Sequence, residues 1–529
     1  MRRTVATQAG AVEGIPCRDR SVTVFRGIPF AAPPVGDLRW RPPEQPTHWE
    51  GVRRADRFGP MCPQAPTDAA ATGVDVPMSE DCLYLNVWTK AAASTDRRPV
   101  LVWIYGGGFR EGTGAHPRYD GEHLARQDVV VVTFNYRLGA FGFLATPELS
   151  DESGTGSSGN YGLLDCIAAL RWVHDNITHF GGDPDRVTIA GQSAGAGMVN
   201  FLAMSPLAKG LFHRAIAQSH ARHARDPELR YLGTSYRLPA DAERAGDRYA
   251  RVHGARTIQE LRALHWRKLV DGHHPLDTVI DTGGTAGPPL FRPVVDGWAI
   301  PAGYDETYAK GSQNDIDYLT GNNLDESGAV PEAMVTALRA ERQTPRPGAP
   351  PIHLTLEQHR AAAQQKFGPL AEEFLRLYPA GTDDEAARAS SRAARDNSRI
   401  STYLWGMDWS RHTTRTLHTY FWTHRAPVTG STLRRASHGS EIDYVFRNPA
   451  GGTASWTEED HEIARILSSY WTNFAATGDP NGTGLPHWPG FSPGAGSVME
   501  IGAHFRPIPV SDSTHLDFWI RFFSTQQAW

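Results

Sequence analysis

Ser193 lies in Val187-Thr-Ile-Ala-Gly-Gln-Ser-Ala-Gly195, where a β-branched run leads into a serine held between two glycines. In a Gly-x-Ser-x-Gly turn from strand to helix, only hydrogen atoms fit beside the serine. Its hydroxyl then stands exposed at the positive end of the helix that the spacing predicts over 193–204. With 52 glycines in the chain, chance alone would give the bare pattern in roughly one of three such sequences. The strand–turn–helix context, not the pattern, carries the reading. A serine hydroxyl attacks carbonyl carbon only when a base removes its proton and an acid orients that base.

The chain has 22 histidines, so local context must choose the base. His438 sits in the small-residue loop Ala436-Ser-His-Gly-Ser-Glu441, ahead of the apolar stretch Ile442-Asp-Tyr-Val-Phe446. It falls late in the chain, which fits the order nucleophile, acid, histidine. For the acid, Gly321-Asn-Asn-Leu-Asp-Glu-Ser-Gly328 follows the predicted strand Tyr318-Leu-Thr-Gly321. Strand C-terminal ends are where open α/β sheets put functional groups. Physical reasoning leaves Asp325 and Glu326 as equal candidates. Ile104-Tyr-Gly-Gly-Gly-Phe109 supplies glycines whose N–H groups can converge on a developing oxyanion.

These groups need a rigid frame. Val100-Leu-Val-Trp-Ile-Tyr105 and Val129-Val-Val-Val-Thr-Phe134 are continuous apolar runs, as expected for strands covered on both faces. A short helix is predicted over 121–127, and a longer one through Leu163–Val173. Further strands are expected at Ala215–Gln218, Tyr318–Gly321 and His418–Phe421. Strands alternating with helices imply a mostly parallel sheet with right-handed crossovers. Residues 222–300 and 330–415 read as helical or irregular insertions above that sheet, within a single domain spanning 1–529.

Composition excludes several classes. A net charge of −5 gives no general affinity for nucleic acid or an anionic membrane. No apolar run approaches the roughly 20 residues that cross a bilayer. No signal peptide is visible, so the expectation is a cytoplasmic protein or a secreted one lacking its leader here. No Cys-x-x-Cys or His-x-x-x-His spacing suggests a metal site. Cys62 and Cys82 flank a polar, Ala-rich loop and could be bridged or reduced. Gly154-Thr-Gly-Ser-Ser-Gly159 matches a dinucleotide-binding pattern, but polar residues precede it instead of a strand, so it reads as a loop.

Together with the elbow and the two loops, further segments resemble type B carboxylesterases, the family that includes cholinesterases and many bacterial esterases. These are Phe25-Arg-Gly-Ile-Pro-Phe30, Glu80-Asp-Cys-Leu-Tyr-Leu-Asn86, Asn135-Tyr-Arg-Leu-Gly139, Asn160-Tyr-Gly-Leu-Leu-Asp165, Phe180-Gly-Gly-Asp-Pro184 and Phe291-Arg-Pro-Val-Val-Asp-Gly297. The resemblance implies an α/β-hydrolase fold and cofactor-free hydrolysis of small-molecule carboxylic esters through an acyl-enzyme. It assigns Ser193 as nucleophile, Glu326 as acid and His438 as base. It further implies oxyanion donors at Gly107, Gly108 and Ala194, and a Cys62–Cys82 disulfide.

Departures from the family pattern shape the expected substrate. Gln192 stands where relatives usually carry Glu before the nucleophile. The Cys62–Cys82 loop holds no Trp, so the choline platform of cholinesterases is missing. His220 replaces a usual Gly and is followed by Arg222, His223 and Arg225. Ala329 and Val330 stand where cholinesterases have Phe residues. Phe109, Gln192, His220, Arg222, Ala329 and Val330 are therefore the expected substrate-lining set, with tolerance for bulky or carboxylate-bearing acyl groups. Two other readings fit the same residues: a cholinesterase-like binding protein without catalysis, and an amide or carbamate hydrolase with the same triad.

Overall fold

The computed structural model describes residues 3–230, 235–270, 275–279, 287–340, 351–428, 433–449 and 456–529. Its sheet contains β1 (Arg3–Thr7), β2 (Gly10–Pro16), β3 (Thr23–Pro29), β4 (Val52–Arg54), β5 (Tyr84–Thr89), β6 (Arg98–Ile104) and β7 (Val130–Phe134). It continues with β8 (Gly182–Gln192), β9 (Arg214–Gln218), β10 (Asp317–Asn323), β11 (Leu417–Trp422), β12 (Ser497–Ile501) and β13 (Phe505–Pro509). The spatial order is β1-β2-β3-β5-β7-β6-β8-β9-β10-β11-β12-β13, with β4 beside β2. From β7 to β12 every pairing is parallel, and antiparallel ribbons close both ends. This is the α/β-hydrolase sheet expected from the sequence.

The unbroken apolar runs have a simple cause. Val100, Val102 and Ile104 project into one core, while Leu101 and Trp103 project into the other. Alternate residues of a strand face opposite sides, so a strand covered twice must be apolar at every position. Helices Tyr161–Asn176 and Ala194–Met204 cover the first face, and Ile442–Phe446 and Glu458–Thr477 the second. Each fully buried large side chain contributes about 1.5–3 kcal/mol. The Gly154–Gly159 segment is a loop, as its polar approach implied.

Both expected insertions leave the sheet between strands, one between β9 and β10 and the other between β10 and β11. The second carries the long helix Asp383–Trp409. Thr382 accepts the Glu385 amide there, and the Glu385 side chain accepts the Thr382 amide in return. That exchange satisfies donors a helix start otherwise leaves open.

The implied disulfide is not formed. Cys62 and Cys82 are free and buried, and the pair lies 4.1 Å apart, about twice the ~2.05 Å of an S–S bond. Cys62 Sγ accepts the Leu138 amide at 3.3 Å, and the closeness of Cys62, with burial, pushes the Cys82 thiol well above its ordinary range.

The turn after β7 is fixed by a buried ion pair. Arg137 Nε and Nη2 donate to the two carboxylate oxygens of Asp165, each at 2.8 Å, and the Arg137 amide adds a third bond at 2.9 Å. Both side chains are almost fully shielded from water. Removing one partner leaves an unpaired charge in the interior. Arg137→Met is expected to lower unfolding free energy by about 3–5 kcal/mol, measured by urea denaturation; a loss below 1 kcal/mol would contradict this role for the pair.

Candidate active site

Strand β8 ends at Gln192, and helix Ala194–Met204 begins one residue beyond Ser193. Ser193 itself takes φ 59° and ψ −127°, a region that costs a non-glycine residue about 1–3 kcal/mol. The glycines on either side make the turn possible. A Cβ on Gly191 would lie 2.5 Å from the Gly195 carbonyl oxygen, and one on Gly195 would lie 2.1 Å from that of Ile104. The Ser193 amide donates to the Gln218 carbonyl at 3.0 Å, tying the elbow to β9.

The three-glycine loop packs directly on this elbow. A Cβ on Gly106 would come within 2.5 Å of the Gln192 carbonyl oxygen and 3.0 Å of Ser193 Cβ. Gly107, Gly108 and Phe109 all have positive φ. Phe109 is fully buried against Phe143, and its carbonyl accepts the Gly139 amide at 2.7 Å. Its expected place in the substrate lining is therefore an interior one. The amides of Gly107 and Gly108 donate to no group among the described residues, and Ala194 is the first residue of its helix, where amides lack intrahelical partners.

Glu326 and His438 meet across 112 residues of chain. His438 Nδ1 is 2.6 Å from Glu326 Oε2, while Glu326 Oε1 accepts the Asn323 amide at 2.6 Å. The imidazole is about half exposed and the carboxylate is buried. Burial lowers the affinity of His438 for its proton. The hydrogen bond and charge of Glu326, helped by Glu441, outweigh that and leave its pKa raised. Asp325, the alternative acid, is committed elsewhere. It pairs with Arg395 at 3.1 Å, and its carboxylate accepts the Ala436 amide at 3.1 Å. Asp325 thus pins the histidine loop to the acid loop, and Glu326 is the carboxylate that faces the ring.

Two neighbours modify this arrangement. Gln192 Nε2 lies 3.2 Å from His438 Nε2 and 3.4 Å from Nδ1, so its amide rests against the edge of the ring. Ser193 Oγ makes no hydrogen bond among the described residues. Glu441 is a further buried acid beside the pair. It accepts Gln218 Nε2 at 2.9 Å and Asn323 Nδ2 at 2.5 Å. Burial raises its pKa against the pull of those donors. Its position three residues after His438 was the available signal, since that spacing brings a carboxylate back beneath a tight loop.

The expected cationic cluster is neutralised internally. Arg222 Nη1 pairs with Asp226 at 2.9 Å and Glu228 at 2.8 Å, and Nη2 donates to Ser327 beside the acid. His220 is buried against Tyr304, and burial, reinforced by Arg222, drives its pKa down to about 3, so it is uncharged. His223 faces Asp408, and Arg225 donates to carbonyls of Ser524 and Gln526. Ala329 and Val330 are buried, and Val330 packs with Val335 and Leu354 of the insertion. No group of three or more His, Cys, Asp or Glu side chains could hold a metal among the described residues, and no described helix is long and apolar enough to cross a membrane.

Known proteins are similar to this chain over most of its length. A fumonisin B1 esterase of Sphingopyxis macrogoltabida is 38% identical over 510 residues, covering 94% of this chain and 86% of the relative. Carboxylesterase 1D of Rattus norvegicus is 33% identical over 543 residues, covering 94% and 88%. Among solved structures, a PNB esterase matches with a TM-score of 0.78 at 29% identity, over 98% of this chain and 99% of its own. A Geobacillus stearothermophilus carboxylesterase matches with a TM-score of 0.76 at 30% identity, over 98% and 99%. With residues 1–519 also matching the carboxylesterase family as a whole, the chain belongs to that family and is a carboxylic ester hydrolase.

Proposed function

We propose that the ester is cleaved by acyl transfer to Ser193. The observation that carries this reading is the 2.6 Å contact between Glu326 and His438, set beside a serine held in an elbow conformation. His438 Nε2 takes the Oγ proton as Oγ attacks the carbonyl carbon. The π electrons move onto the carbonyl oxygen, which the N–H groups of Gly107, Gly108 and Ala194 receive. Collapse of that tetrahedral species expels the alcohol, protonated by His438. Water, deprotonated by the same nitrogen, then releases the acid and restores Ser193.

Glu326 holds the proton on Nδ1 and offsets the charge of the imidazolium. For catalysis the ring must exchange its Gln192 contact for Ser193 Oγ, which fits the loose hydrogen bonds of many unliganded active sites. Gln192 is uncharged, so it leaves the nucleophile without the adjacent carboxylate usual in relatives. The compared relatives are esterases by name, which favours esters over amides or carbamates. An assembled base and acid favours catalysis over a binding role. Ala329 keeps side-chain volume low beside the acid, which supports tolerance of bulky acyl groups. The two insertions are the natural walls of the pocket in a single catalytic unit. With 4-nitrophenyl esters, Ser193→Ala and His438→Ala are each expected to cut kcat by roughly 10⁴-fold or more. The double variant should be no worse than the poorer single one. Losses that multiply would mean the two residues do not act as a unit.

The pH dependence follows from the charges around His438. The ring works as a base only when neutral, so kcat/KM rises with pH through its pKa. That pKa is raised above the ordinary imidazole range, so the midpoint of the acid limb lies at higher pH than for an unperturbed histidine. Glu441 stabilises the protonated ring, so Glu441→Gln should move the midpoint to lower pH. A pH profile of kcat/KM that stays fixed or moves upward in this variant would contradict the assignment.

A further inference from the structure

Arg110 follows the three-glycine loop, is partly exposed, and stands apart from the other described arginines that have shielded nitrogens. Its Nε and Nη1 are both shielded from solvent without a hydrogen-bond partner. Other arginines with one such nitrogen have an ion pair or another bond: Arg26 with Asp120, Arg98 with Asp128, Arg137 with Asp165, Arg214 with Asp317, and Arg435 with the Asp325 carbonyl. Arg339 and Arg399 likewise pair with Asp384 and Asp396. Among the described residues, the Arg110 side chain has neither. Leaving a charged donor dry and unpaired is costly.

One carboxylate lies near that charge without bonding to it: Glu111, the next residue, is hydrogen-bonded to Asp68, and burial followed by the charge of Asp68 lifts its pKa to about 6 against the pull of Arg110. The guanidinium also borders a small cleft of about 60 Å³, whose mostly apolar lining includes Leu138, Phe141, Leu269, Pro289 and Phe291, with Gln64 as a polar member. This cleft adjoins the site: a Cβ on Gly108 would be 3.8 Å from both Arg110 Nε and Pro289 Cγ. Gly108 is a proposed oxyanion donor, so the guanidinium stands beside the place where a substrate carbonyl would be held. Apolar walls around one positive charge suit a short carbon chain ending in a carboxylate.

We propose that Arg110 is the specificity determinant for esters carrying a free carboxylate, which it receives in the cleft beside the oxyanion loop. This rests on the Ser193 reading for where the ester carbonyl lies. It moves recognition of the anion away from Arg222, whose charge Asp226 and Glu228 already satisfy. Turning the guanidinium into the cleft gives its two open N–H groups an acceptor. The carboxylate can belong to the acyl part or to the alcohol part, and the two are separable by experiment.

The test compares kcat/KM for 4-nitrophenyl hydrogen glutarate against 4-nitrophenyl valerate, and for 4-acetoxybenzoate against phenyl acetate. In Arg110→Gln the acid-to-neutral ratio should fall at least tenfold in one pair, which identifies the side that carries the anion. Arg110→Lys should recover part of it, since the charge returns without the planar fork. Calorimetric binding of free glutarate against valerate to Ser193→Ala, with and without Arg110→Gln, reads the same contact without turnover. If neither ester pair were hydrolysed by the wild type, the acyl-transfer reading would fail and the binding pair alone would decide Arg110. Ratios in Arg110→Gln within twofold of the parent protein, in turnover and in binding, would overturn the proposal.

Discussion

The close approach of two backbones at the head of strand β8 governs the rest of the molecule. Ile104 ends β6, and its carbonyl oxygen sits where a side chain on Gly195 would have to go. That contact forces the chain to turn within one residue, and Ser193 takes the strained conformation that results. Strain of this size persists only where the surroundings over-determine it. Here the helix Ala194–Met204 is buried along its whole length, and β8 is paired on both sides. The sheet and its two cores therefore act as the clamp that presents one hydroxyl.

A second layer of constraint gathers the groups that come from far along the chain. The histidine loop is held by Asp325 through the Ala436 amide and by Arg118, which donates to the Gly439 carbonyl at 2.7 Å. Arg395, carried on the long helix of the second insertion, fixes Asp325 in turn. The insertion thus holds the loop that carries Asp325 and Glu326. Glu441, Asn323 and Gln218 form a buried polar layer beneath, and Trp471 donates to Gln218 at 3.0 Å. Within that layer Asn323 Oδ1 is the one acceptor of the three side chains left without a hydrogen-bond partner among the described residues.

Much of this was legible in the residues because it is local. The elbow, the glycine loop and the apolar strands each follow from a few consecutive side chains. The apolar strands lie within two or three residues of the expected spans, as with Val100–Tyr105 against Arg98–Ile104, while β8 begins five residues before Val187. What was not legible depends on partners distant in sequence. Asp325 and Glu326 are adjacent and chemically alike, and only Arg395 and the Ala436 amide tell them apart. The cluster from His220 to Arg225 looked cationic, although its counter-ions Asp226 and Glu228 follow immediately in the chain. The cysteine pair followed family pattern, whereas the two thiols lie unbridged 4.1 Å apart and Cys62 accepts the Leu138 amide. Arg110 gave no signal as a sequence feature, because its lack of a partner is a property of the packed protein.

The central claim is that Ser193 is the activated nucleophile, and covalent trapping tests it most directly. A fluorophosphonate reacts with a serine whose proton is removed by a neighbouring base. Intact-mass analysis should find one phosphonyl group per folded chain, and peptide mapping should locate it on Ser193, with none in Ser193→Ala. Folded wild-type protein that takes up no label, or label that persists in Ser193→Ala, would contradict the account.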